Sequence, residues 1–207
     1  MRFFSGSWRH HDLIPYDDDV DFLVSFDHKT RLFQQINSSA VLSHVIISGV
    51  CKIYFAGASK AGKHKWNWPF LDIWFYRENR THIWYDGDDW KSLVIKKLDV
   101  FPLVLRPLGT VWIPSPRNYT GYHSSIRKDT NDSTLSYCIQ NGYSHRTESQ
   151  LAKVTVRCTE LMNAYPFVMR TCTQVKCLEE LKLGHQTLYI LRVDNGRTFK
   201  QTTTASF

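Results

Sequence analysis

The 207 residues carry 43% hydrophobic and 14% aromatic side chains, enough for one folded domain with a substantial core. Net charge is +7, from 26 Lys and Arg against 19 Asp and Glu, and the basic residues are scattered rather than clustered. That balance suits phosphates or anionic glycans as partners and does not indicate nucleic acid.

Met1 is followed almost at once by "RFFSGSWRHH", which reads as the inside of a domain with no signal peptide visible. The sequence is therefore expected to be an N-terminally incomplete piece of a longer protein, with any membrane anchor in the missing part. Gly6-Ser7 reads as a small turn. After a turn at Pro15, Asp17 to Val24 reads as a strand. "SFDHKTRLFQQI" has helical spacing at Leu32, Phe33 and Ile36, with Ser25 or Asp27 as a cap. Val45 to Phe55 is β-branched and aromatic, broken at Gly49. The window 40–58 is the most apolar, but His44 and Lys52 interrupt it, so it reads as strands rather than a membrane span.

"GASKAGKHKWNW" is a Gly/Lys loop. "PFLDIWFY" is a strong strand with Asp72 embedded in it, and "HIWYD" is another. Short strands ending in a Pro-rich turn are expected over "DDWKSLVIKKLDVFPLVLRPLGTVWIPSP". Residues 117–148 read as polar surface loop with short helical pieces, Val175 to Leu183 as helix, and the tail from Thr198 as frayed. This order of strands and helices gives an α+β fold rather than a doubly wound parallel sheet.

Five cysteines, Cys51, Cys138, Cys158, Cys172 and Cys177, form no CxxC pair, so a structural zinc site has little support. Four Asn-x-Ser/Thr sequons, at Asn37, Asn79, Asn118 and Asn131, favour the secretory pathway. Cysteines could pair there, and their odd number leaves at least one unpaired or intermolecular.

The run "HHDLIPYDDDVDFLV" places Asp12, Asp17, Asp18, Asp19 and Asp21 just ahead of an apolar segment. On a strand, residues two apart share a face. Asp19 and Asp21 then point one way, with Asp17 following if the strand starts early, and Val20 and Phe22 point to the core. Carboxylates so arranged repel each other unless a cation lies between them. A hard divalent ion, Mg²⁺ or Mn²⁺, taking carboxylates plus substrate phosphates, is the natural partner. Asp72 in its apolar strand would make a third acid if the two strands pair, as a further ligand or as a base for an attacking hydroxyl.

Blander readings compete. The acids could form a solvated turn, and Asp12 and Asp18 are expected to be solvated in any case. An EF-hand loop fails, because Phe22 stands where Gly is needed and His28 where the final Glu belongs. Asp72 could be a core acid paired with Arg or Lys. His10 and His11 serve structure or surface more readily than donor phosphate. Lys60, Lys63 and Lys65 read as a solvated loop before they read as phosphate screens. Trp66 and Trp68 could pack in the core or stack on a base or sugar.

"GSWRHHDLIPYDDDVDFLV" resembles the signature of the LicD/fukutin-related family: a Gly, an Arg and an acidic run after Ile-Pro and an aromatic residue. "WPFLDIWFY" and "FPLVLRPLGTVWIPSPRNY" resemble its later stretches, so the resemblance covers residues 5–122. Tyr16 replaces the usual Trp. The resemblance implies a nucleotidyltransferase-like mixed β-sheet flanked by helices over residues 1–122, with 123–207 as an extension of the same domain. It implies that Asp17, Asp19 and Asp21 hold the metal and the donor pyrophosphate, and that Asp72 is the third ligand or the base. Gly6, Ser7 and Arg9 would lie against donor phosphates.

The implied activity is transfer of a phospho-alcohol, such as phosphocholine or ribitol phosphate, from a CDP-linked donor to a glycan, in the Golgi lumen. Two rivals stand beside it: an Asp-x-Asp sugar-nucleotide glycosyltransferase, and a truncated glycan-binding module without turnover. In the glycosyltransferases the apolar strand usually precedes the acids, whereas here Phe22-Leu23-Val24 follows them.

Overall fold

The structure, a computed structural model, describes residues 3–15, 18, 20–87, 93–126, 137–140, 142–173 and 176–194. Asp17 and Asp19, two of the four expected metal ligands, lie outside these residues, as does the tail from Thr198.

Helix α1 (Phe3–His10) comes first, then strand β1 (Val20–Ser25), a 3-10 turn (Phe26–His28) and α2 (Lys29–Asn37). Strands β2 (Leu42–Ile47), β3 (Val50–Phe55), β4 (Phe70–Glu78), β5 (His82–Tyr85) and β6 (Val94–Lys96) follow. Next are α3 (Lys97–Val100), β7 (Val104–Leu108), β8 (Val111–Ser115) and α4 (Tyr119–Ile126). The remainder holds β9 (Tyr137–Gln140), β10 (Tyr143–Ser144), β11 (Ser149–Gln150), β12 (Val154–Arg157) and α5 (Cys158–Leu161). It closes with β13 (Phe167–Cys172), β14 (Lys176–Leu183) and β15 (Gln186–Asp194). Helix and strand are mixed, in keeping with an α+β class. The chain divides into two compact units. Met1–Phe3, Tyr16–Lys97 and Ile139–Val154 make the first; Phe4–Pro15, Leu98–Cys138 and Thr155–Phe207 make the second.

The first unit is built on a six-stranded sheet. Strands β2 to β6 pair in sequence order, each antiparallel to the next, and β1 pairs parallel with β4. Strand alternation sorts the side chains by face. Phe22 and Val24 of β1, Cys51 and Ile53 of β3, and Ile73 and Phe75 of β4 pack with Leu32, Phe33 and Ile36 of α2. The expected break at Gly49 is a tight hairpin turn, with φ of 49° at Ser48 and 84° at Gly49. Two left-handed residues in succession match the twist of the flanking strands. Helix α2 forms where its apolar spacing predicts. Its entry differs, because Ser25 at the start of the 3-10 turn and His28 at the start of α2 make no side-chain cap bond.

The Gly/Lys loop packs against the β10–β11 hairpin of the same unit. Gly62 has φ of +54° and donates its N–H to the Arg146 carbonyl, and a Cβ there would run into the carbonyl of Thr147. Asp18, expected to be solvated, is tied to that hairpin. It accepts the His145 ring Nδ1–H at 2.8 Å and the backbone N–H groups of His145 and Arg146 at 3.0 and 3.3 Å. Partial burial alone would raise its pKa, but these bonds outweigh burial and hold the carboxyl below its ordinary value.

In the second unit, β13, β14 and β15 form an antiparallel meander. The helix expected over Val175 to Leu183 is strand β14 instead. Leu, Glu and Lys favour helix locally. However, Cys177, Glu179 and Leu181 alternate as buried residues, and β14 finds a ladder on each side. Tertiary pairing overrides the weaker local preference. Cysteines pair as Cys138–Cys158 and Cys172–Cys177, and Cys51, in the first unit, is a buried thiol.

Glu179 is almost wholly buried and is surrounded by donors. His11 Nε2 and Arg106 Nη2 each lie 2.7 Å from its Oε2, and Arg170 Nε lies 2.8 Å from its Oε1. Burial alone would raise the Glu179 pKa, but the His11 bond and the two guanidiniums dominate and hold it far below the usual range. His10 donates from Nδ1 to the Pro166 carbonyl at 2.7 Å, and its ring meets Phe167 edge-on. Its Nε2 is buried with no partner among the described residues, so the neutral ring is the form the site accepts. Burial, chiefly, lowers the pKa of His10 to about 4 and lowers that of His11 as well. Both histidines are therefore structural.

Both rings bind protons more readily in the unfolded chain than in the fold. The stability they contribute is complete above about pH 6.5 and is lost as pH falls towards 4. The thermal unfolding midpoint should fall by roughly 5 °C or more between pH 7 and pH 4.5. The His10 ring resonance should titrate well below 6.5. A flat midpoint across that interval would contradict the assignment.

Candidate active site

The register of the first unit's sheet builds the site. Parallel pairing of β1 with β4 sets Asp21 opposite Asp72, and antiparallel pairing of β3 with β4 sets Lys52 opposite Asp72. Three charged residues thus stand in one row across three strands, on the face away from α2. All three are buried, at 3% exposure for Asp21, 7% for Asp72 and 9% for Lys52. Neighbouring strands run about 4.8 Å apart. Two carboxylates at that spacing repel by about 3 kcal/mol at an effective dielectric near 20. The row is tenable because each acid has a donor.

Lys52 Nζ lies 2.9 and 3.0 Å from the two oxygens of Asp72, and the Trp74 indole N–H donates to Asp21 Oδ1 at 2.8 Å. The ammonium also sits over the Phe70 ring at 4.0 Å and the Trp66 ring at 5.2 Å. Phe70, Asp72 and Trp74 alternate along β4, so they share this face. His145, bonded to Asp18, meets Phe70 edge-on at 6.1 Å between ring centres.

The structure therefore brings Asp21 and Asp72 together, as strand pairing would require. Sequence reading missed Lys52 and Trp74. The signal for Lys52 was a lone cation in the apolar strand "VCKIYF", noted only as an interruption. Trp66 is buried with Ala61 and Phe70, and its Nε1–H donates to Glu148 at 3.2 Å, which is core packing. Lys63 and Lys65 are exposed, and Lys60 bonds the Lys65 carbonyl, so this loop is solvated.

Gly6, Ser7 and Arg9 belong to the second unit. They lie within helix α1, where a small turn was expected. A Cβ on Gly6 would press on the backbone of Asp12 and Ile14, so this glycine permits close chain packing. Arg9 donates to the sulfurs of Cys138 and Cys158 at 3.3 and 3.0 Å. Ser7 is 1% exposed.

Among the described residues, no group of three or more His, Cys, Asp and Glu lies close enough to hold a metal ion. Asp21 and Asp72 offer hard oxygen donors side by side. Oxygen donors of this kind suit Mg²⁺ or Mn²⁺, which take one or two protein carboxylates and fill the other positions with water and substrate phosphates, and a cation on Asp72 would share it with Lys52, which bonds both of its oxygens.

The family model for LicD/FKTN/FKRP, nucleotidyltransferase domain, matches residues 4–118, more than half of the chain, and the chain belongs to that family. No curated protein and no solved structure matches. Membership makes the chain transferase-like in coarse terms and links it to glycan modification.

Removing Lys52 should leave a buried carboxylate without its cation. Lys52→Met is expected to destabilise the protein by about 3 kcal/mol, and adding Asp72→Asn should restore part of that loss. Chemical denaturation of the two single variants and the double variant measures the coupling. Additive losses would show that the pair contributes nothing.

Proposed function

We propose that the chain transfers a phospho-alcohol from a CDP-linked donor to a glycan hydroxyl. The observation that carries this reading is the register that sets Asp21 beside Asp72 in a member of this family. Asp21 and Asp72, with Asp17 and Asp19, would hold Mg²⁺ or Mn²⁺, whose chemistry is neutralisation of phosphate charge.

The residues of this chain do the rest. Trp74 fixes one oxygen of Asp21, and Lys52 grips both oxygens of Asp72. The acceptor hydroxyl oxygen bonds to the phosphorus that carries the alcohol. The bond from that phosphorus to the CMP oxygen breaks, CMP leaves, and the hydroxyl proton passes to a carboxylate, the role this reading gives to Asp72. Phe70 and Trp66 shield the ammonium from solvent and strengthen its hold on Asp72.

A secretory, Golgi-lumen setting belongs to the same reading. Two disulfides and four sequons support it, since disulfides persist in oxidising compartments. Among the described residues, no helix is long and apolar enough to cross a membrane.

Incubation of the full chain with CDP-ribitol or CDP-choline, Mn²⁺ and glycan acceptors tests the proposal. CMP should form, and Asp21→Asn and Asp72→Asn should each lower its rate by about 100-fold or more. Full metal-dependent turnover in both variants would refute it. Release of a nucleoside diphosphate from a sugar nucleotide would favour the glycosyltransferase reading instead.

A further inference from the structure

Asn37, Asn79 and Asn118 lie among the described residues, and the three sequons are built differently. A sequon becomes a glycan site when the asparagine Nδ2 bonds to the anomeric carbon of an oligosaccharide carried on a lipid diphosphate. The bond from that carbon to the diphosphate oxygen breaks, the lipid diphosphate leaves, and one of the two Nδ2 protons is released. The product is bulky and hydrophilic, so a fold accommodates it only at the surface. The asparagine must therefore keep Nδ2 open to solvent, and the Ser or Thr hydroxyl must reach its amide.

Asn79 meets both conditions. It opens the turn between β4 and β5, and Asn79, Arg80 and Thr81 are all exposed. Its Oδ1 accepts the N–H groups of Thr81 at 2.9 Å and His82 at 2.8 Å, and the Thr81 hydroxyl at 3.3 Å. The His82 ring Nδ1 lies 2.8 Å from the same hydroxyl. The Asn79 N–H closes the turn on the His82 carbonyl at 2.9 Å. All these bonds join near neighbours in the chain, so the turn needs no distant residue and can form as the segment enters the lumen. They engage only the amide oxygen. Nδ2 of Asn79 has no partner among the described residues.

Asn118 caps α4. Its Oδ1 accepts the Thr120 hydroxyl at 3.0 Å and the Gly121 N–H at 3.2 Å, but its Nδ2 donates to Asp99 Oδ1 at 2.7 Å. A Cβ on Gly121 would lie 2.6 Å from that nitrogen, so Nδ2 is held against the helix as well as the acid. A sugar on it would intrude on the cap. At Asn37 the hydroxyl serves the entry to β2 instead, since Ser39 Oγ accepts the N–H groups of Val41 and Leu42 at 3.2 and 3.1 Å. Asn79 alone of the three combines a placed hydroxyl with an open nitrogen. It also lies seven residues beyond Asp72, about 23 Å along extended chain, so a glycan at this turn leaves the carboxylate row uncovered.

We propose that Asn79 carries an N-linked oligosaccharide and that Asn118 does not. The inference rests on the lumenal setting given above and is independent of the transfer chemistry.

Expression of the full chain in animal cells behind a cleavable secretory leader tests it. Release of glycans by peptide N-glycanase in water labelled with ¹⁸O marks each occupied asparagine for mass spectrometry. Asn79 should be occupied in most molecules and Asn118 in few. Thr81→Ala should abolish the glycan on Asn79, and Thr81→Ser, which keeps a hydroxyl in the turn, should retain it. The leader enforces entry to the lumen, so a bare Asn79 overturns the inference whatever the natural compartment. Occupancy of Asn118 equal to that of Asn79, or a glycan on Asn79 that survives Thr81→Ala, would also overturn it. CMP release measured on the same preparation keeps the two proposals apart: a glycan on Asn79 without CMP refutes the transfer reading alone, and CMP with Asn79 bare refutes this inference alone.

Discussion

Two carboxylates set side by side in a sheet repel each other, and the parallel pairing of β1 with β4 leaves Asp21 and Asp72 no other arrangement. Four other side chains on that face of the first unit answer the repulsion. β3 brings Lys52 onto Asp72, β4 turns the Trp74 indole onto Asp21, and Phe70 and Trp66 cover the ammonium. A buried charge pair of this kind is weak evidence for stability, since apolar residues could fill the same space at less cost. Its presence is better explained by a need for carboxylates held in fixed positions. The opposite face, where Phe22, Val24, Ile73 and Phe75 meet α2, supplies the apolar burial that holds the strands in register.

The second unit solves a similar problem with the signs reversed. Glu179 is the single acid among His11, Arg106 and Arg170, and it fixes the end of α1 and strands β7 and β13 around one point. The same clamp shapes the wall of a cavity in that unit.

Much of the first unit could be read from the sequence because its signals are local. The alternation of "VDFLV" and "FLDIWF" marks both strands and both faces, and Gly49 marks the hairpin. The partner of Asp72 was harder to see. Core pairing with Arg or Lys was one of the readings weighed, but only the β3–β4 register selects Lys52 from 26 basic residues. Asp18 looked like one more acid in a solvated run, and its value to the fold lies in a hairpin 127 residues away. Strand β14 was misread because "KCLEELKL" is written in helix formers. Its burial pattern follows from β13, β15 and the cations that neutralise Glu179, none of which a local window contains. Histidines 10 and 11 were correctly weighted towards structure, although their partners, Pro166 and Glu179, are equally remote.

The central claim is that Asp21 and Asp72 together hold a divalent cation, with Lys52 bonded to Asp72. The most direct measurement is an anomalous difference map from crystals of the full chain grown with Mn²⁺ and CDP. The account predicts a manganese peak on the carboxylates of Asp21 and Asp72. A map with manganese elsewhere, or with none on these two residues while CDP is bound, would contradict it.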